Sequence, residues 1–356
     1  MRNIVPTTPR RLVTVASWLL TILASDGAAQ AAPFLPNPLI PIAGVASVRY
    51  ADFNGDGQLD LVTCNSGTNS VSVLLGRGDG TFGSEMRFGA GNNPVASLAA
   101  DLDGNGTADL AIANRGSANI SVFLGLGDGT FGPRTDFPAG PPPASIAAGD
   151  FDGDGRPDLA VAHAQPVGEI SVLLNTGIGA FGPPTALEAG PQPSSVVVGD
   201  FNEDGQLDLA AANTAGSFGN DPSYVSIFLG AGDGTFTSYF PCFVGVHPLA
   251  VAVGDFNRDG HSDLAVANLG SGTPQGILSS VSILTGHGDG TFGPENRIQA
   301  GDGPASIVVG DFTGDGVQDL AVANVFDGLS LIAGRGNGLF DRSRNQYVGN
   351  TPFDVA

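Results

Sequence analysis

Six aspartate-rich segments carry most of the chemistry available to this chain. DFNGDGQLDL at 52–61 recurs as DLDGNGTADL (101–110), DFDGDGRPDL (150–159), DFNEDGQLDL (200–209), DFNRDGHSDL (255–264) and DFTGDGVQDL (311–320). Each has the form D-x-[D/N/T]-x-[D/N]-G-x-x-D. Positions one, three and five put side-chain oxygens on one side of a tight turn. Glycine at position six (Gly57, Gly106, Gly155, Gly205, Gly260, Gly316) permits the bend, position seven can present its backbone carbonyl, and position nine returns a carboxylate. The candidate ligands are Asp52, Asn54, Asp56, Gln58 and Asp60 in the first loop, and Asp101, Asp103, Asn105, Thr107 and Asp109 in the second. The third has Asp150, Asp152, Asp154, Arg156 and Asp158, and the fourth Asp200, Asn202, Asp204, Gln206 and Asp208. The fifth has Asp255, Asn257, Asp259, His261 and Asp263, and the sixth Asp311, Thr313, Asp315, Val317 and Asp319. Such a flexible, all-oxygen cage suits Ca²⁺. Mg²⁺ keeps more of its water, and softer metals want His or Cys side chains. His261 stands at position seven, where only its carbonyl would coordinate.

Aspartate and glycine also make ordinary turns, but here an acid stands at positions one and nine of every loop. The six loops hold 19 carboxylates at positions one, three, five and nine. Three of the 14 basic and one of the 35 acidic residues lie in residues 1–31, so the remainder carries 11 and 34, a net charge of −23. The loops thus hold over half of that acidity, and about six Ca²⁺ would halve the net charge. Without a counter-cation, three or four carboxylates in one turn repel each other. Loop three, with four carboxylates, is expected to bind most tightly, and loop six, with Thr313, most weakly. The metal reads as structural, because five or more protein oxygens leave little room for an activated water.

The loops must be held by a repeating scaffold. The leading aspartates are 49, 49, 50, 55 and 56 residues apart, and a second signature follows each loop: GRGDGTFG (76–83), GLGDGTFG (125–132), NTGIGAFG (175–182), GAGDGTF (230–236), GHGDGTFG (286–293) and GRGNGLF (334–340). In the second unit the apolar runs Val95–Ala100, Leu110–Ala113, Ile120–Leu124 and the more polar Arg134–Pro138 are separated by Gly/Asn/Asp turns. Four short strands per repeat of about 50 residues is a propeller blade. A β-helix would repeat over a shorter period. The expected fold is an all-β propeller of four-stranded blades. A strand-like remnant at Leu39–Ala43 and a tail at 349–356 that resembles the start of another unit favour seven blades with an incomplete last one, with six as the alternative.

These residues resemble the FG-GAP repeats of integrin α-subunits and the related VCBS-type repeats of bacterial surface and secreted proteins. Phe82-Gly83 is followed by Ala90-Gly91 and Pro94, and Phe131-Gly132 by Ala139-Gly140 and Pro143; Phe181-Gly182 and Phe292-Gly293 repeat the arrangement. The resemblance spans residues 38–356. It implies a propeller with calcium in the loop between the first two strands of a blade. Departures are the unfinished last blade, Ala180 and Leu339 in weakened GDGTF motifs, and Thr313.

The N-terminus has the form of a secretory signal over residues 1–31. Arg2, Arg10 and Arg11 precede the apolar run Leu12–Ala24, and Ala29-Gln30-Ala31 offers a cleavage site. Thirteen residues reach only about 20 Å as a helix, short of the ~30 Å hydrocarbon core. The propeller is then residues 32–356, outside the cell or on its surface, with the periplasm as the alternative, and no membrane insertion follows cleavage. Cys64 and Cys242 fall in different repeats and are expected to be free thiols, Cys64 buried in a strand. Strong acidity argues against nucleic acid. The four histidines are scattered, and no nucleophile–base pair or phosphate loop is visible. The expectation is a monomeric, non-enzymatic binding or adhesion module for protein or other extracellular ligands, with a calcium-dependent, glycan-binding lectin as alternative and a polysaccharide lyase or hydrolase less favoured. Insertions at 215–224 and 269–280, opposite the aspartate loops, are candidate recognition loops, with Phe218, Asn220 and Tyr224 as contacts.

Overall fold

The computed structural model describes residues 44–214, 223–237, 240–270, 279–346 and Asp354. These form six antiparallel four-stranded sheets, each in chain order, and no helix. Blade two shows the unit: Pro94–Ala100, Asp109–Asn114, Asn119–Phe123 and Thr135–Pro138. The first strands of neighbouring blades, from Val45–Ala51 through Pro94–Ala100, Ser145–Gly149, Pro193–Gly199 and Pro248–Gly254 to Pro304–Gly310, pack on one another in sequence. This is the propeller that the repeat period predicts.

The strand sequences follow from their positions. Second strands such as Asp109–Asn114 (DLAIAN) and Asp263–Asn268 (DLAVAN) are buried along their whole length, which is why they read as unbroken apolar runs rather than alternating ones. Fourth strands are outer edges and largely exposed. Each second strand begins with the position-nine aspartate and ends, in five blades, with an asparagine whose amide donates to a third-strand serine, as Asn114 Nδ2 does to Ser121 Oγ at 2.8 Å. The serine passes the bond on to an acid, Asp136 at 2.7 Å in blade two. Blade three has His163 in the asparagine's place, fully buried, with Nε2 2.8 Å from Ser171 Oγ. The Gly-x-x-Pro linkers pack on this residue: a Cβ on Gly91 would lie 2.6 Å from the amide carbon of Asn114.

Apolar clusters fill the junctions between successive blades from one to six. At the junction of blades one and two, for example, Phe53, Val62, Val71 and Val73 meet Leu110, Ile112 and Phe123. Among the described residues no such cluster joins blade six to blade one, and Leu61 and Leu74 form a small separate group with Val45, Val48 and Phe82. Polar contacts of one residue link these two blades instead. Asp354 accepts from the Val48 N–H at 2.9 Å and Arg49 Nη1 at 3.0 Å in blade one, and from Ser306 Oγ at 2.8 Å in blade six.

The described residues form six blades. The segments assigned from sequence to a closing blade, Leu39–Ala43 and 349–356, lie outside the described residues except for Asp354, as does the secretory segment 1–31. Both cysteines are free, as expected, with Cys64 fully buried. Burial pushes the Cys64 thiol up to about 12 and that of Cys242 to about 11. Replacing Asp354 by alanine removes three charge-assisted hydrogen bonds, one of them an ion pair with Arg49, and is expected to cost about 1–3 kcal/mol of unfolding free energy. Urea melts of Asp354→Ala and Asp354→Asn check this. A stability unchanged in both variants would mean that other contacts hold blades six and one.

Candidate metal centre

The aspartate loops connect the first and second strands of each blade, and their geometry repeats closely. The position-one carboxylate collects the loop's own N–H groups: Asp52 accepts from Gly55 and Gly57 at 2.8 Å each, and Asp150 does the same from Gly153 and Gly155. Position three accepts from the N–H of position five, and position five from that of position seven, as in Asn54–Asp56 at 3.0 Å and Asp56–Gln58 at 2.8 Å. The chain turns sharply enough for this because positions four and six are both left-handed, at φ +71° and +79° for Gly55 and Gly57. That region favours glycine. Position four was not singled out in the sequence reading, although four of the six loops have glycine there. Glu203 (φ +58°) and Arg258 (φ +62°) are the exceptions.

Position nine behaves differently from the rest. Asp60, Asp109, Asp158, Asp208, Asp263 and Asp319 are all buried. Each grips an N–H group from position two of its loop and one from the turn after the third strand, and Asp109 and Asp319 also accept the position-three N–H, at 3.2 and 2.9 Å. For Asp60 these are Phe53 at 2.8 Å and Gly76 at 2.7 Å; for Asp319 they are Phe312 and Gly334, both at 2.8 Å. In five blades that residue is a glycine with no room for a side chain: a Cβ on Gly76 would lie 2.1 Å from the Leu59 carbonyl oxygen. Burial drives the acid form, raising the Asp158 pKa to about 6 and those of Asp60, Asp109, Asp208 and Asp263 above the ordinary value, against the lowering effect of these N–H bonds.

Two loops bring three carboxylates together. Oxygens of Asp101, Asp103 and Asp109, and of Asp150, Asp152 and Asp158, lie within 4.8 Å of one another. Positions one, three and nine thus converge on one point, and an oxygen-only donor set fits a hard divalent cation there. Among the described residues these are the two converging groups of three; loops one, four and five have an asparagine at position three, and loop six Thr313. Position five points elsewhere in loop three, where Asp154 pairs with the Arg156 guanidinium. The fourth charge expected to make this loop the tightest is therefore partly neutralised. The position-seven residues contribute N–H groups to position five, and their side chains cover the blade's own Gly-Asp-Gly turn, as Gln58 covers Gly78 and Gln206 covers Gly232.

Adjacent blades meet at these loops. The turn of one blade donates a glycine N–H to the position-two carbonyl of the preceding loop: Gly129 to Phe53 at 3.0 Å, Gly234 to Phe151 and Gly290 to Phe201 at 2.8 Å, and Gly338 to Phe256 at 2.9 Å. The position-two ring meets the phenylalanine of the next blade's GDGTF-type motif edge-on, with centroids 5.6 Å apart for Phe53 and Phe131 and 5.5 Å for Phe256 and Phe340. Of the proposed recognition residues, Phe218 and Asn220 lie outside the described residues. Tyr224 begins the third strand of blade four, its ring 6.3 Å edge-on from that of Phe243.

The FG-GAP-like repeat profile matches residues 52–112, 101–161, 151–211 and 255–322, more than half of the chain. No curated protein matches it in sequence. Solved structures share the fold. A proposed 6-phosphogluconolactonase from Bacteroides uniformis is 16% identical with a TM-score of 0.62, over 90% of this chain and 88% of that one. A functionally unknown protein from Desulfotomaculum acetoxidans is 10% identical with a TM-score of 0.57, over 85% and 89%. BBS1N, solved in complex with ARL6DN, is 14% identical with a TM-score of 0.56, over 86% and 85%.

Positions three and nine should separate in experiment. Asp158→Ala strips an acceptor from two buried N–H groups and is expected to cost about 2–4 kcal/mol even in chelator. Asp152→Ala is expected to cost less than about 1 kcal/mol in chelator and markedly more in calcium. Chemical denaturation in EDTA and in calcium checks both. The metal-free protein should also lose stability as pH rises from about 4 to 7. A raised folded-state pKa means that the folded form holds more protons than the unfolded one over that range. Unfolding free energy in EDTA that is flat or rising over this range would contradict it.

Proposed function

The chain belongs to the FG-GAP-like repeat family, and on that premise we propose that it is a secreted or cell-surface β-propeller, stabilised by calcium, that binds an extracellular protein without catalysis. The observation that carries the calcium reading is the convergence of three carboxylate oxygens in loops two and three, each group including a buried aspartate with a raised pKa. A divalent cation would offset both the mutual repulsion and the burial cost. Asp101, Asp103 and Asp109, and Asp150, Asp152 and Asp158, would hold it, and the equivalent positions of the other four loops would do so with amide or hydroxyl oxygen at position three. The cation's role here is structural: it would fix a loop that carries the contact to the next blade.

Binding is supported by one surface unlike its equivalents. The outer strand of blade four, Phe240–Phe243, exposes both phenylalanines, at 58% and 57%. The same positions hold Thr135 and Pro138 in blade two, and Thr185 and Glu188 in blade three. Exposed aromatic rings on a rigid edge suit recognition, and Tyr224 stands beside Phe243. The same rings favour a second reading, a calcium-dependent lectin in which they stack on a sugar. An extracellular location is supported by the secretory form of residues 1–31 together with acidity suited to a calcium-rich medium.

Metal analysis after equilibrium dialysis against saturating calcium tests the first part, with about six calcium ions per chain expected in excess of the dialysate. At ~1 mM calcium and a Kd of ~0.1–1 mM, six sites would together add several kcal/mol, so EDTA should lower the melting temperature substantially. An unchanged melt on verified metal-free protein would overturn the reading. For binding, Phe240→Ser with Phe243→Ser should abolish capture of an extracellular protein partner while leaving the melt unchanged. Signal on a glycan array, lost in the same variant, would instead select the lectin.

A further inference from the structure

The two loops that lack glycine at position four share a second property. Their position-four side chains cross to the next blade and end on its aspartate loop. Glu203 of loop four takes a hydrogen bond at Oε1 from Nδ1 of His261, which is position seven of loop five. Arg258 of loop five donates through Nη2 to the carbonyl of Gly316, which is position six of loop six. Both side chains also lie over the next blade's turn. A Cβ on Gly288 would come 2.9 Å from Glu203 Oε1, and one on Gly336 would come 3.2 Å from Cδ and Nε of Arg258. Loops one, two, three and six have Gly55, Gly104, Gly153 and Gly314 at this position and can make no such bridge.

A glutamate and an arginine at left-handed φ are disfavoured by their own backbone, and glycine would relieve this. Something offsets that cost in these two loops, and the contact each side chain makes is the visible candidate. Each bridge also lands beside an expected ligand. His261 would present its own carbonyl, and Gly316 immediately precedes Val317, whose carbonyl has the same role. Glu203 and Arg258 in turn stand between positions three and five of their own loops. A loop drawn tight by an ion therefore holds the ligand-bearing turn of the next one in place.

We propose that Glu203 and Arg258 are positioning residues that couple loops four, five and six into one cooperative metal-binding strip, while loops one, two and three fill independently. This rests on the reading that the loops bind calcium. By linkage the coupling is reciprocal, so occupancy of loop six also tightens loop five.

The test is calcium titration of the metal-free full chain by calorimetry, with hydrogen exchange at the amides of Gly205, Gly260 and Gly316 as a site-resolved readout. Glu203→Gly and Arg258→Gly are suitable variants, because glycine is the residue the other loops use there and the fold tolerates it. In the native chain, protection at the three amides should rise together over one calcium range. Arg258→Gly should leave the number of ions unchanged but shift the loop-six midpoint to calcium about three- to tenfold higher, separating it from loops four and five. Glu203→Gly should separate loop four in the same way. Three midpoints that coincide in the native chain and stay coincident in both variants, or that are already separate in the native chain, would overturn the coupling. Absence of calcium uptake by the native chain would overturn the metal reading itself, and the coupling with it.

Discussion

The structure depends on a carboxylate buried where two pieces of backbone need an acceptor. In all six blades the position-nine aspartate ties position two of its own loop to the turn that follows the third strand, with all twelve N–H···O distances between 2.6 and 2.9 Å. Without it, N–H groups flanking the central strands at that end of the blade would lose their partner, a cost of the order of 1–3 kcal/mol for each group. With it, the first loop and the GDGTF-type turn become one rigid unit at one end of the blade. That unit makes the contact with the next blade through a carbonyl and an aromatic ring, so the ring of blades is assembled on the geometry that this aspartate sets.

The same burial creates the electrostatic problem that the rest of the loop answers. A carboxylate in a poorly solvated site resists ionisation, and positions one and three add further negative charge within a few ångströms in loops two and three. The N–H bonds recover part of the lost solvation but supply no net charge. A divalent cation would supply it, and would do so where the contact between blades is made. Metal uptake and blade packing are then two aspects of one local structure. The exposed edge of blade four is separate from it: its phenylalanines belong to an outer strand, and their exposure does not follow from any loop requirement.

Much of this was legible in the residues. Repeat period, strand number, the acids at positions one and nine and the glycine at six all follow from local rules of turns and strands, and locality is what a single sequence records. What was missed is non-local. Glycine at position four went unremarked because its left-handed φ, unlike the glycine at six, had no metal role to draw attention to it. The Asn–Ser–acid relay of blade two spans three strands, and only pairing brings Asn114, Ser121 and Asp136 together. The segments expected to make a closing blade lie outside the described residues, and only Asp354 among them is seen, its carboxylate reaching blades one and six. Loop three was ranked by counting charges, and Arg156, treated as a backbone ligand, changes that count through its side chain.

Blade three shows that physical contacts, more than motif letters, are what the repeats keep. Its turn reads NTGIGAFG, without the aspartate and threonine of blades one, two, four and five, and it forms a short hairpin of Asn175–Gly177 with Ala180–Phe181. The glycine N–H that should meet the preceding loop is replaced by a side chain: Asn175 Nδ2 donates to the Leu102 carbonyl at 2.8 Å. The same residue keeps its own N–H on Asp158 at 2.6 Å. One asparagine thus does the work of two glycines in the other blades, and it can stand there because its side chain fills the contact that a backbone approach fills elsewhere. Phe181 keeps an edge-on partner as well, in Phe137 at 5.5 Å, since Leu102 offers no ring. A weakened motif is therefore poor evidence of a weakened blade. What must persist is a donor aimed at the neighbouring loop and an acceptor for the buried N–H groups, and blade three supplies both with different residues.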